Sequence, residues 1–207
     1  MPECPTEKIR LGVFGGCFDP IHLGHLLVAE DVFHKLKLDK LIFIPTFRPP
    51  HRAPPVAPYS SRVEMVRRAI ANNSSFSISR IEENRPGISY TVETLKQLRL
   101  LFPCARFYFL MGYDQYRLIA RWYKPLELTK MAKLVVMSRP GVPRPVLLPG
   151  HNPRKVIFLE VIPVELTATT IRERLAKGRS VCYLIPTAVL DYIYKNRLYL
   201  KTKTKED

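Results

Sequence analysis

Cysteine, glycine and negative charge are all scarce in this chain. Its four cysteines, Cys4, Cys17, Cys104 and Cys182, form no C-x-x-C pair and no His/Cys cluster at zinc spacing. They read as free thiols of a reducing compartment, not as a disulfide frame or a structural metal site. No apolar run approaches the ~18 residues of a membrane helix, and Met1 to Arg10 has no apolar stretch that would make a secretory signal. The expectation is a soluble, cytoplasmic protein with no membrane partner. Acidic residues number 18 against 33 Lys and Arg, a formal net charge of +15. That balance favours an anionic ligand: nucleic acid, anionic lipid or a phosphorylated small molecule. With 46% hydrophobic and 25% charged residues the 207-residue chain is too apolar for disorder. Its length suits one domain, over 1–207, that buries roughly two-thirds to three-quarters of its unfolded surface.

Nine glycines stand against 19 prolines, and the prolines cluster, six from Pro45 to Pro58 and five from Pro140 to Pro153. These stretches predict two long loops of the kind that border binding sites. Between them, β-rich runs occur at Ile9–Phe14, Leu41–Pro45, Phe76–Ile81, Arg106–Met111, Leu134–Ser138 and Val156–Val161. Helical spacing fits Leu23–Lys37, Ser61–Asn73 (opening on a Ser61-x-x-Glu64 capping box), Thr91–Phe102, Tyr113–Trp122, Thr170–Lys177 and Pro186–Asn196. Gly178 is a natural helix stop, the part from about 169 to 198 is helical, and 201–207 reads as a flexible basic tail. Strand and helix in alternation predict an α/β fold: a doubly wound, mainly parallel sheet in a three-layer α/β/α arrangement. Ligands of such sheets bind where the strand order reverses.

The first strand runs into Gly15-Gly16-Cys17-Phe18-Asp19-Pro20-Ile21-His22-Leu23-Gly24-His25. Strand, glycines and helix start make a phosphate-binding geography, since Gly15 and Gly16 let the backbone turn tightly and approach a ligand closely, and the helix N-terminus offers N–H groups and a positive dipole end. Neither G-x-G-x-x-G nor G-x-x-x-x-G-K-[ST] is present. Instead His22 and His25, three apart, share a helix face and can address one phosphate chain, with Gly24 leaving room between them. A polyphosphate beside them raises imidazole basicity. Two incidental helix histidines, or part of a metal site, are the alternatives at this stage. Thr169 is a candidate N-cap with Arg172 one turn in, placed to fork onto phosphate oxygens, or else a surface arginine on an ordinary capped helix.

Gly-Gly-x-Phe-Asp-Pro-x-His-x-Gly-His resembles the signature of the H-x-G-H nucleotidyltransferase superfamily and, in this form, of nicotinate-nucleotide adenylyltransferases. Pro49-Pro50-His51-Arg52, Ser89-Tyr90-Thr91, Gly112-Tyr113-Asp114, Trp122, Ser138-Arg139-Pro140-Gly141 and Leu166-Thr167-Ala168-Thr169-Thr170-Ile171-Arg172 resemble that family's further motifs, in order from Gly15 to Arg172. The resemblance implies a Rossmann-like nucleotidyltransferase fold. It also implies transfer of the AMP moiety of ATP to nicotinate mononucleotide, giving deamido-NAD and pyrophosphate in NAD biosynthesis.

By the same resemblance His22, His25 and Arg172 are catalytic. Gly15, Gly16, Phe18, Asp114, Arg139, Thr167 and Thr169 join them in binding ATP, while Arg52, Tyr90, Thr91, Trp122 and Tyr123 bind the mononucleotide. Mg²⁺ arrives on the ATP phosphates, because no carboxylate cluster exists to cage it. The partners implied are ATP and nicotinate mononucleotide, without nucleic acid, with a homo-oligomer left open. Nicotinamide mononucleotide or another phosphorylated acceptor stays open, as, more remotely, does a basic nucleic-acid-binding module. Lys130-Met131-Ala132-Lys133 is also similar to a class I aminoacyl-tRNA synthetase motif, but the chain has no room for an anticodon-binding domain. Three departures stand out: Cys17 for Thr or Ser, Arg52 for Lys, and Ala168 for Ser. Cys17 gives up a hydroxyl beside the phosphate site, and its thiol is expected to be reactive there.

Overall fold

Runs that are apolar on both sides of the chain form the centre of a parallel sheet, because helices cover both of its faces. The computed structural model describes residues 8–50, 53–138 and 146–201. Its six strands are β1 (Arg10–Gly16), β2 (Lys40–Pro45), β3 (Phe76–Ile78), β4 (Arg106–Gly112), β5 (Ala132–Ser138) and β6 (Val156–Glu160). They lie in the order β3-β2-β1-β4-β5-β6, every pair parallel.

Side chains alternate between two cores. Leu11, Val13, Ile42, Ile44, Phe107, Phe109, Leu134 and Val136 pack with Val92, Leu95 and Leu98 of α3 (Thr91–Leu101) and Leu128 of α5 (Pro125–Met131). Phe14, Leu41, Phe43, Tyr108, Leu110 and Val135 pack on the other face. There they meet α1 (Leu23–Lys35), α2 (Tyr59–Ala69), α6 (Ala168–Ala176) and α7 (Thr187–Lys195). The result is the doubly wound α/β/α sandwich. After β1 the chain builds β2 and β3 on one side and returns to place β4 on the other. The strand order therefore reverses between β1 and β4, and a crevice opens at their carboxyl ends, beside Gly16 and Gly112.

Several local expectations are corrected. Helix α2 starts at Tyr59 behind Pro58, so Ser61 does not cap it; Glu64 instead binds Arg67 and Arg68 at 2.7 Å. Strand β3 stops at Ile78. The segment predicted as one helix from Tyr113 to Trp122 divides into α4 (Tyr113–Arg117) and a 3-10 turn, Ile119–Arg121, which leaves Trp122 extended. Helix α5 follows Lys124, at φ 49°, with Pro125 at its first position; that proline was the available start signal. The cap of α6 is Thr167, not Thr169: its Oγ1 accepts the Thr170 N–H at 3.1 Å. Cys104 is disulfide-bonded, against the expectation of thiols throughout. Gly178, at φ 64°, ends α6 as expected.

Candidate active site

The glycines at the end of β1 act through space and not through a turn. Gly15 and Gly16 are still extended strand, and the left-handed residue is Phe18, at φ 49°. A Cβ on Gly16 would lie 3.1 Å from the Phe18 ring. That ring is buried in the core and meets the His25 imidazole edge-on at 5.1 Å, so only the backbone of Phe18 is left to face a ligand.

His22 caps the N-terminus of α1 and His25 is its third residue. Their imidazoles stack, with centroids 3.7 Å apart and planes at 30°. Gly24 relieves crowding here: a Cβ would lie 3.0 Å from both His22 Nδ1 and Val164 Cγ1 and would press on the imidazole. The His22 N–H donates to His25 Nδ1 at 3.3 Å, which puts the proton of a neutral His25 on Nε2, where it can be donated to a ligand. The buried His22 Nδ1 has no hydrogen-bond partner among the described residues. Burial holds the His22 pKa down at about 4, and burial together with the neighbouring His22 charge holds His25 well below the usual imidazole range. Both rings are therefore neutral near pH 7, at the positive end of a helix, and both gain basicity from an anion.

Helix α6 brings a cation to the same segment from the far end of the chain. The Arg172 guanidinium donates to the Asp19 carbonyl at 2.7 Å and to Thr169 Oγ1 at 3.1 Å. It thus sits at the loop three residues before His22, while the Thr167 hydroxyl caps α6. Asp114 follows β4 in the first turn of α4, exposed at the rim of the crevice.

Gly15–Cys17 also borders a cavity of about 600 Å³. Its wall includes Gly15, Gly16, Cys17, Gly112, Tyr90, Thr91, Trp122 and Tyr123. Tyr90 and Tyr123 stack at 4.5 Å, and Trp122 meets Phe109 at 77°. Thr91 is the first residue of α3, so a second helix N-terminus forms part of the wall. Arg52 and Arg139 lie outside the described residues, as do His51 and 202–207.

Residues to which the sequence assigned no role, Ser89 and Asp19 of the motifs among them, hold these parts together. The Ser89 hydroxyl accepts the Arg48 N–H at 3.1 Å, and Glu82 accepts from the Phe47 N–H and the Thr94 hydroxyl, pinning the loop that carries Pro49-Pro50. Arg62, almost fully buried, donates to the Cys17 carbonyl at 2.7 Å beneath the glycine segment. Asp19, also buried, accepts the Val56 and Ala57 N–H groups at 2.7 and 3.0 Å. A buried arginine or aspartate has no sequence signal beyond its type; the partners are remote along the chain.

Residues 13–174 match the cytidylyltransferase-like family. A Thermus thermophilus protein with the name "Probable nicotinate-nucleotide adenylyltransferase" is 46% identical over 92% of this chain and 100% of its own length. One of the same name from Syntrophotalea carbinolica is 38% identical over 92% of this chain and 97% of its own. Among solved structures, Plasmodium falciparum nicotinic acid mononucleotide adenylyltransferase complexed with NaAD shares the fold, with a TM-score of 0.75 at 19% identity, covering 92% of this chain and 97% of that one. Near full-length identity of this order, together with the H-x-G-H helix start at a parallel-sheet switch point, means that the chain belongs to the nicotinate-nucleotide adenylyltransferase family of cytidylyltransferase-like proteins.

Proposed function

We propose that the protein joins nicotinate mononucleotide to the AMP moiety of Mg·ATP and releases pyrophosphate. ATP lies with its phosphates along His22, His25 and Arg172, its ribose toward Asp114, and the mononucleotide fills the cavity that Gly15–Cys17 borders. The mononucleotide phosphate attacks the α-phosphorus in line. That phosphate is already ionised at neutral pH, so no general base is needed, and catalysis comes from alignment and from charge stabilisation on the departing pyrophosphate. Mg²⁺ enters as part of the substrate, held by phosphate oxygens and water. Thr167 and Thr169 support the phosphates through the α6 start and the Arg172 rotamer.

The observation that carries the acid form of the acceptor is the placement of Thr91. The N-terminus of an 11-residue helix opens into a cavity walled by Trp122, Tyr90 and Tyr123. A pyridine ring stacks on those aromatics while its carboxylate meets the positive helix end, and an amide gains less there. The test is pyrophosphate release from Mg·ATP with nicotinate mononucleotide and nicotinamide mononucleotide side by side. Preference for the acid supports the assignment, and equal rates or no activity with the acid overturn it.

Two results follow. Trp122→Ala should raise KM for the mononucleotide by about tenfold, from lost stacking, and change KM for ATP little; titration of each substrate at saturating levels of the other checks this. Cys17, half-buried in the cavity wall, should be alkylated by a maleimide slowly, and more slowly still with Mg·ATP bound. Unchanged labelling with ATP would place Cys17 away from the triphosphate.

A further inference from the structure

We propose that Tyr199 is a positioning residue for the phosphate site, whose hydroxyl holds the Asp19 carboxylate so that its ion pair with Arg172 stays loose and Arg172 can turn to ATP. After α7 the backbone passes through left-handed conformations at Arg197, φ 52°, and Tyr199, φ 63°. That path brings the phenol back to the loop between β1 and α1, where it donates to Asp19 Oδ1 at 2.7 Å. The ring packs on the same core as α1 and α6.

Asp19 is crowded with donors. Oδ1 accepts from the Ala57 N–H and the Tyr199 hydroxyl, and Oδ2 accepts from the Val56 N–H. Arg172 bonds the main-chain carbonyl of the same residue at 2.7 Å, and its nearest approach to the carboxylate is 3.8 Å, to Oδ2, close enough for a loose ion pair and too far for a hydrogen bond. Arg62, below the loop, is the second cation facing this carboxylate. A carboxylate has about four acceptor sites, and three are filled. Loss of the phenol donor leaves the carboxylate with two N–H donors and concentrates its charge, which strengthens the pull of Oδ2 on Arg172 beside it. A guanidinium drawn into a partly buried ion pair must leave that pair before it can bind a phosphate. Burial and the adjacent carboxylate push the Tyr199 hydroxyl far above the ordinary phenol range, so it remains a donor at any working pH.

The inference rests on the assignment of Arg172 to ATP made above. Mg·ATP binding by calorimetry to the full chain, its Tyr199→Phe and Arg172→Ala variants and the double variant tests it, with thermal melts alongside. Tyr199→Phe keeps the packed ring. It should weaken Mg·ATP binding by about tenfold, the scale of one hydrogen bond to a charged group, and raise KM for ATP in turnover. In the Arg172→Ala background the same change should cost less than about twofold, since coupled residues do not add. Equal losses in both backgrounds, or a lower melting temperature with unchanged ATP affinity, overturn the proposal. Wild-type protein that binds no Mg·ATP overturns the functional assignment itself. Wild type that binds ATP but ignores nicotinate mononucleotide overturns only the acceptor.

Discussion

His25→Ala should lower kcat for pyrophosphate release from Mg·ATP by on the order of 10²-fold or more, with the fold intact, and His22→Ala should do the same. The reason lies in what the two rings are when the substrate is absent. Each is neutral, and the His25 proton sits on Nε2 because Nδ1 accepts the His22 main-chain N–H. As negative charge builds on the departing pyrophosphate, both rings can strengthen their donation and take on positive charge, which is a gain larger in the transition state than in the ground state. The loss therefore falls on kcat more than on KM. Neither ring holds the helix in place alone: α1 is anchored by Ala29 and Val32 in the core and by the Leu23 N–H bond to the Leu184 carbonyl at 3.0 Å. Near-normal turnover in both variants, with melting curves like wild type, would end the mechanism as drawn.

The sheet was legible in the sequence because a strand covered on both faces must be apolar throughout, and Ile42–Ile44 or Leu134–Val136 have no other use. The H-x-G-H start was legible for a local reason as well. Its residues act on one another at spacing three, and Gly24 leaves the room that a Cβ would crowd between His22 and Val164. What could not be read was set by contacts that are remote in sequence. Phe18 takes the left-handed conformation that the sequence suggests for the glycines, since its ring is fixed by His25, Phe14 and Phe43. Asp19 finds donors 37, 38 and 180 residues away. Thr169 and Thr167 are equally good caps by type, and the choice between them follows from where α6 must begin to bring Arg172 onto Asp19. The charge of +15 is only partly used by this site.

Acidification should destabilise the free protein between about pH 6.5 and 4, and Mg·ATP should oppose it. His22 titrates near 4 in the fold, against about 6.5 in an unfolded chain. The unfolded state therefore binds a proton more readily. Stability from this residue is complete above pH 6.5 and falls away as pH drops toward 4, by about 3 kcal/mol at one pK unit per 1.36 kcal/mol. His25, also depressed by burial, acts in the same direction. A bound triphosphate reverses the sign, because it raises the basicity of both rings and favours the protonated form of the folded state. Binding should then take up protons, and affinity should increase as pH falls through the imidazole range of the complex. Thermal melts from pH 8 to 5, with and without Mg·ATP, should show a gap that widens toward acid. Calorimetry at pH 6.5 in buffers of different ionisation enthalpy should show proton uptake on ATP binding, reduced in His22→Asn. No uptake in the wild type would mean that the imidazoles stay neutral against the phosphates, donating hydrogen bonds without ever carrying charge.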